Sequence, residues 1–165
     1  MSLILGIDPG LASTGYGLIE AGRGRYRHID HGTIKTPSSD PHGKRLLVIY
    51  RAVEKITDQY KPRYAAIESL FFTKNVTSAF PVAESRGVIL LCFELHGIPV
   101  TELPPQEIKR GLTGHGRSSK AQVQEMVKLL LGMKEVPKPD HAADALAAAI
   151  CCANITAGDK RIGNL

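Results

Sequence analysis

LILGIDPGLASTGYGLIE, residues 3–20, decides how the chain is read. Residues 3–7 are a short apolar run bounded by Pro9-Gly10, which predicts a strand buried on both faces. The run ends on Asp8. A strand that only needed to turn could use Asn-Gly or Gly-Gly, whereas this one carries a charge out of the middle of a sheet. TGYGLIEA (14–21) and RYRHIDHGTIKT (25–36) follow, separated by Gly22-Arg23-Gly24, so the three runs predict an antiparallel meander.

Outward from the meander, PSSDPH (37–42) reads as loop. From residue 44 to 60, Leu46, Leu47, Tyr50, Val53 and Ile56 fall at helical spacing. Pro62 stops that helix, and YAAIE (64–68) is another apolar run closed by a carboxylate. The intervening helix makes a crossover, which places YAAIE parallel beside the first strand. A second helix is expected within 75–96, capped by Thr77 or Ser78, with Pro81 in its first turn. Next come a strand (IPVTEL), a short helix (PPQEIKRGL), a glycine-bearing loop (TGHGRSS), a helix over 119–131 and an Ala-rich helix over about 140–154. Strands followed by alternating helices and strands predict an α/β fold, a mixed sheet covered by helices. Residues 1–154 are expected to form one domain and 155–165 a mobile tail.

At 165 residues and 43% apolar composition the chain is long enough for one proper core. Its net charge of +5 raises the expectation of a nucleic-acid partner. Cys92, Cys151 and Cys152 lack the spacing of a zinc site and read as small apolar residues in a reducing compartment. Neither a basic leader nor an apolar run of membrane-spanning length is present, so a cytoplasmic protein is expected.

Asp8 and Glu68 both end apolar strands predicted to be parallel neighbours, so their carboxylates emerge at the same sheet edge, a usual ligand position. Like charges held close repel unless a cation lies between them, and a hard divalent ion suits oxygen ligands. In PDHAADALAAA, Asp140, His141 and Asp144 share one helical face, and the rest of that helix is apolar. A charge there is costly unless paired or metal-bound. Asp8, Glu68, His141 and Asp144 together have the composition to hold two metal ions roughly 4 Å apart, the arrangement that cleaves phosphodiesters. Each has a plainer reading alone: Asp8 as a turn residue, Glu68 as a strand end paired with a lysine, His141 as a solvated helix start. Asp140 after Pro139 reads better as a helix N-cap than as a ligand. Asp144, in mid-helix among alanines, is the hardest to explain without a partner.

GIDPGLASTGYG, AAIESLFFTKN, SRGV, QEIKRGLTGHGRSSKAQVQ and DHAADALA, in this order over about 3–153, resemble the RuvC family of Holliday-junction resolvases. The resemblance implies an RNase H-like (retroviral integrase superfamily) fold with a mixed five-stranded sheet flanked by helices. It also implies a homodimer that nicks two opposed strands of a four-way DNA junction symmetrically with Mg²⁺ or Mn²⁺, in recombination and repair. A branch-migration complex of RuvA and RuvB type is the implied partner. Asp8, Glu68, His141 and Asp144 would be its metal ligands and catalytic centre. Many members carry a carboxylate where His141 stands. An imidazole makes the site softer, which favours Mn²⁺ over Mg²⁺.

Lys109, Arg110, His115, Arg117 and Lys120 cluster around the glycine-bearing loop, and free N–H groups at the following helix start suit DNA phosphates. The resemblance places Lys109 and Lys120 near the cut. Lys74, Asn75 and Arg86 are further candidates for DNA contact. Phe71 and Phe72 follow Glu68 in a segment read as loop. An aromatic wedge there would stack on opened bases, worth ~1–3 kcal/mol per base, and the family uses the Phe71 position so. Val82, Val88, Ile89, Leu90, Leu91, Phe93 and Leu95 make the second helix apolar around most of its circumference, which suggests a two-fold helix-mediated dimer. Competing readings are an RNase H-like nuclease acting on RNA, which needs neither wedge nor dimer helix, and a non-cleaving junction platform, which gains nothing from clustered carboxylates. An actin-like kinase would need a far longer chain.

Overall fold

The computed structural model describes residues 1–69 and 76–162, with side chains for 1–69 and 79–157. Its strands are β1 (Ser2–Asp8), β2 (Ser13–Gly22), β3 (Arg25–Lys35), β4 (Tyr64–Glu68) and β5 (Val100–Leu103). Its helices are α1 (His42–Tyr60), α2 (Val76–Leu95), α3 (Pro105–Thr113), α4 (Lys120–Leu131) and α5 (Asp140–Ile162). The five strands form one mixed sheet in the order β3-β2-β1-β4-β5. β1, β2 and β3 pair antiparallel as the expected meander, and β4 lies parallel to β1 with β5 parallel beyond it. Arg23 and Gly24 both have positive φ, 53° and 74°, the mirror turn that follows the strands' right-handed twist.

Successive side chains on a strand point to opposite faces, and this alternation divides the core in two. Leu5 and Ile7 of β1 and Ala65 and Ile67 of β4 pack with Ile49 and Val53 of α1 and Ile89, Cys92 and Phe93 of α2. Ile4 and Ala66 instead face α3, α4 and α5, against Ile108, Val127, Leu146 and Ile150. Asp8 and Glu68 fall in the same phase as Ile4 and Ala66, so the alternation turns both toward the α5 side.

α5 crosses β1 and β2 in very close approach. A Cβ on Gly6 would stand 1.9 Å from the Ala145 carbonyl oxygen, and one on Gly15 would stand 2.0 Å from that of His141. Gly17 would meet Leu146 at 2.7 Å. Gly6 pairs with Gly17 and Asp8 with Gly15 across the β1–β2 ladder. A patch of glycine on the sheet thus faces a run of alanine on the helix, and the two backbones come together because neither surface has side chains to hold them apart.

Three boundaries differ from expectation. α2 begins at Val76, so neither Thr77 nor Ser78 is its cap, and Pro81 lies inside the helix. Burial of Ile89, Cys92 and Phe93 holds the helix together in spite of the proline, since packing rather than propensity supplies most helical stability. α5 runs on to Ile162, so part of the expected tail is helical. Asp140 opens α5, but its carboxylate accepts from Gln124 and Lys120 instead of capping the helix. No helix among the described residues is long and apolar enough to cross a membrane.

Candidate active site

Asp8 leaves the end of β1 on the α5 side, and Gly15 beside it leaves room for the start of α5. His141 therefore sits over the strand end, its Nδ1 2.6 Å from Asp8 Oδ2. Asp144 follows one turn later. Ligand atoms of Asp8, His141 and Asp144 all lie within 4.8 Å of one another. Glu68 is outside this tightest group but shares a cavity of about 250 Å³ with Asp144, Lys109 and Lys120, walled by Pro105, Ile108, Val123 and Ala147.

The electrostatics agree with the geometry. Burial raises the pKa of Asp8, and the hydrogen bond and charge of His141 oppose that rise. Burial also raises Glu68, and the negative charges of Asp8 and Asp144 add to it, bringing Glu68 to about 7 while Lys120 and Lys109 pull the other way. A buried carboxyl raised further by carboxylate neighbours marks a site whose negative charge a cation would relieve.

Lys120 reaches this surplus from α4. Ser119 caps that helix in a reciprocal capping box: its Oγ accepts from the Gln122 N–H at 3.2 Å, and Gln122 Oε1 accepts from the Ser119 N–H at 2.8 Å. The cap fixes Lys120 at the first helical position. Its ammonium donates to Asp144 Oδ2 at 3.0 Å and lies 3.3 Å from Asp140 Oδ2. Burial lowers the pKa of Lys120, but the bonds to Asp144 and Asp140 outweigh it and the net shift is upward. The capping box also satisfies an N–H that the sequence reading left free for phosphate.

The other candidates are distributed differently. Lys109 lines the site cavity, and Arg117 is exposed on the α3–α4 loop. Arg86 pairs with Glu102 of β5, and α2 packs on the sheet face opposite α5, so Arg86 does not join the cluster. Phe71, Lys74 and Asn75 lie outside the described residues. The sequence reading missed the glycines Gly6, Gly15 and Gly17, which seat α5. Their signal was available as the alternate glycines of TGYG and the phase of Gly6 with Asp8.

A family profile described as Crossover junction endodeoxyribonuclease RuvC matches residues 4–152. A crossover junction endodeoxyribonuclease RuvC of Treponema denticola is 50% identical over 152 residues, covering 92% of this chain and 85% of the relative. The Thermus thermophilus RuvC structure superposes with a TM-score of 0.87 at 32% identity, covering 94% of this chain and 96% of that one. The T. thermophilus RuvC in complex with Holliday junction substrate gives 0.90 at 32% identity, covering 96% and 97%. The mixed sheet and its helices are thus the RNase H-like fold expected from the sequence. This chain belongs to the RuvC family of crossover junction endodeoxyribonucleases.

Proposed function

We propose that the chain resolves four-way (Holliday) DNA junctions as a homodimer, by paired symmetric nicks at two metal-dependent sites, in recombination and repair. The observation that carries this is the convergence of Asp8, His141 and Asp144 within 4.8 Å, beside Glu68 and two lysines. Three carboxylates and one imidazole are a donor set for Mg²⁺ or Mn²⁺, with the imidazole favouring Mn²⁺. Such ions, when bound, activate water and stabilise charge on the phosphate in an in-line displacement.

The chain's own residues prepare that chemistry. Asp8 accepts a hydrogen bond from His141 Nδ1–H and so orients the ring, and this proton must leave for both atoms to hold a cation. Lys120 neutralises Asp144 and Asp140 until phosphate arrives, and then with Lys109 supplies positive charge to the DNA backbone. Arg117 extends this cationic edge along the α3–α4 loop. Phe71 is retained as a DNA contact on the strength of the resemblance, Lys74 and Asn75 for their place just after the aromatic pair, and a RuvA- and RuvB-type complex as a partner.

The dimer reading rests on α2 and α1. Phe80, Leu91 and Leu95 are 65%, 54% and 65% exposed and share one helical stripe, while Ile89, Cys92 and Phe93 fill the core on the other side. A Cβ on Gly87, in the same stripe, would meet nothing within 4 Å. Leu47 and Val48 of α1 are also exposed. An apolar stripe of this kind suits a second copy about a two-fold axis, which also gives the two sites that paired nicking needs.

The test is incubation with an end-labelled synthetic four-way junction in Mn²⁺, Mg²⁺ or EDTA, beside Asp8→Asn. Paired symmetric nicks that need metal and vanish in the variant, with junction binding retained, are expected. Tight binding without cleavage under any metal would replace this reading with a junction platform.

A further inference from the structure

A second cavity, of about 600 Å³, lies at the end of the sheet away from Asp8. Its floor is apolar, from the buried Ile4, Ala21 and Ala153. Tyr26 and Tyr64 add two aromatic rings, and the Tyr26 hydroxyl donates to Asn154 Oδ1, tying β3 to α5. Arg23 and Arg25 bring two guanidinium groups from the β2–β3 hairpin. Arg63 stands nearby, its guanidinium 5.6 Å from the centre of the Tyr64 ring. No carboxylate lines the cavity among the described residues.

Arg23 is also held in the left-handed region, φ 53°, where asparagine or glycine is the ordinary choice. An arginine kept there suggests a use for its side chain, since such positions recur where binding compensates backbone cost. The cavity joins an apolar floor to polar groups at its rim, a form that small-molecule sites take. Guanidinium groups that make no ion pair among the described residues suit phosphate in particular, and tyrosine rings offer a surface for a planar base.

We propose that this cavity binds a nucleoside phosphate, its phosphate on Arg23 and Arg25 and its base against the tyrosines. The ligand is either a free nucleotide or the phosphorylated end of a DNA strand, which share that chemistry. Asn154 lies ten residues beyond Asp144 on α5, about 15 Å along the helix axis. The cavity is therefore separate from the acidic cluster.

The experiment is calorimetric titration of the intact protein in EDTA with dAMP, deoxyadenosine, inorganic phosphate and a short 5′-phosphorylated oligonucleotide. dAMP is expected to bind one per chain, more tightly than deoxyadenosine or phosphate alone. Arg25→Gln and Arg23→Asn should each weaken it at least about tenfold. Arg23→Asn suits the turn better than arginine, so its loss of binding cannot be a folding defect, and its junction cleavage should be unchanged. Lys120→Ala should leave dAMP binding intact. Tighter binding of the oligonucleotide that is lost on removing its 5′-phosphate and in Arg23→Asn would assign the site to strand ends, and tighter binding of dAMP to free nucleotide. No binding of either, equal affinity for inorganic phosphate, or loss of binding in Lys120→Ala would overturn the proposal. None of these outcomes bears on junction resolution, so the two readings fail separately.

Discussion

Asp8 Oδ2 lies 2.6 Å from His141 Nδ1, which joins the last residue of β1 to the second residue of α5 across 133 positions of sequence. The contact makes one donor pair from a hard oxygen and a borderline nitrogen. Activity at limiting metal is therefore expected to be stronger with Mn²⁺ than with Mg²⁺, and His141→Asp should narrow that difference. Titrating each metal against junction cleavage in both proteins checks this. Superimposable wild-type curves would remove the imidazole's proposed part in metal preference.

Glu68 makes the metal-free protein sensitive to pH. Its folded pKa of about 7 lies above the model-peptide value of 4.5, so between these values the folded chain binds the extra proton. Stability from this source is complete below about pH 4.5 and falls as pH rises to about 7, by at most roughly 3 kcal/mol. Asp8, raised by burial, has the same sign. The melting temperature in EDTA should decline from pH 5 to pH 7.5, and Glu68→Gln should flatten the decline. Adding Mn²⁺ at pH 7.5 should restore the lost stability. A pH-independent melting temperature in EDTA would show that Glu68 is not so perturbed.

Gly15 should tolerate no side chain. Its Cβ would meet the His141 carbonyl at 2.0 Å, and that atom belongs to helix backbone. Gly15→Ala is expected to lift the start of α5 and separate His141 from Asp8. Overpacking of this kind costs about 1–3 kcal/mol, and the displacement should lower cleavage far more than it lowers stability. Gly43→Ala makes the control, since a Cβ at Gly43 meets nothing within 4 Å. Melting curves alongside cleavage rates distinguish the effects.

Lys120→Ala should slow cleavage by roughly 10- to 100-fold, the scale of one charge-assisted hydrogen bond to phosphate. Lys120 also holds the pKa of Glu68 down, so its removal should steepen the loss of metal-free stability with rising pH. Lys120→Arg should rescue the pH profile better than the cleavage rate, because a guanidinium keeps the charge without the compact ammonium geometry. Unchanged cleavage in Lys120→Ala would place the residue outside the reaction.

Leu91→Glu should break the proposed dimer without unfolding the chain. Leu91 is 54% exposed and sits on the α2 stripe away from the core. Sedimentation is expected to show a monomer with a near-normal melting temperature, and the junction should then receive single, uncoupled nicks. A variant that remains dimeric would move the interface elsewhere.

Local residue order was enough to place the two strand carboxylates. Apolar runs closing on Asp8 and Glu68, with a helix between them, specify parallel neighbours whose ends coincide. Period-two alternation then puts both residues on one face. Asp144 was legible because a charge in an alanine helix needs a partner. Which groups that partner includes depended on how the folded elements pack. Asp140 suits an N-cap locally but turns to Lys120 and Gln124. Arg86 suits DNA by charge and is ion-paired with Glu102. Lys120 enters the acidic cluster because the Ser119–Gln122 box fixes its place and α4 packs beside α5. Local periods of 2 and 3.6 are written in the order of residues. The approach of α5 to the sheet depends on Gly6, Gly15 and Gly17 meeting backbone more than a hundred residues away, and that meeting exists only when both surfaces are already folded.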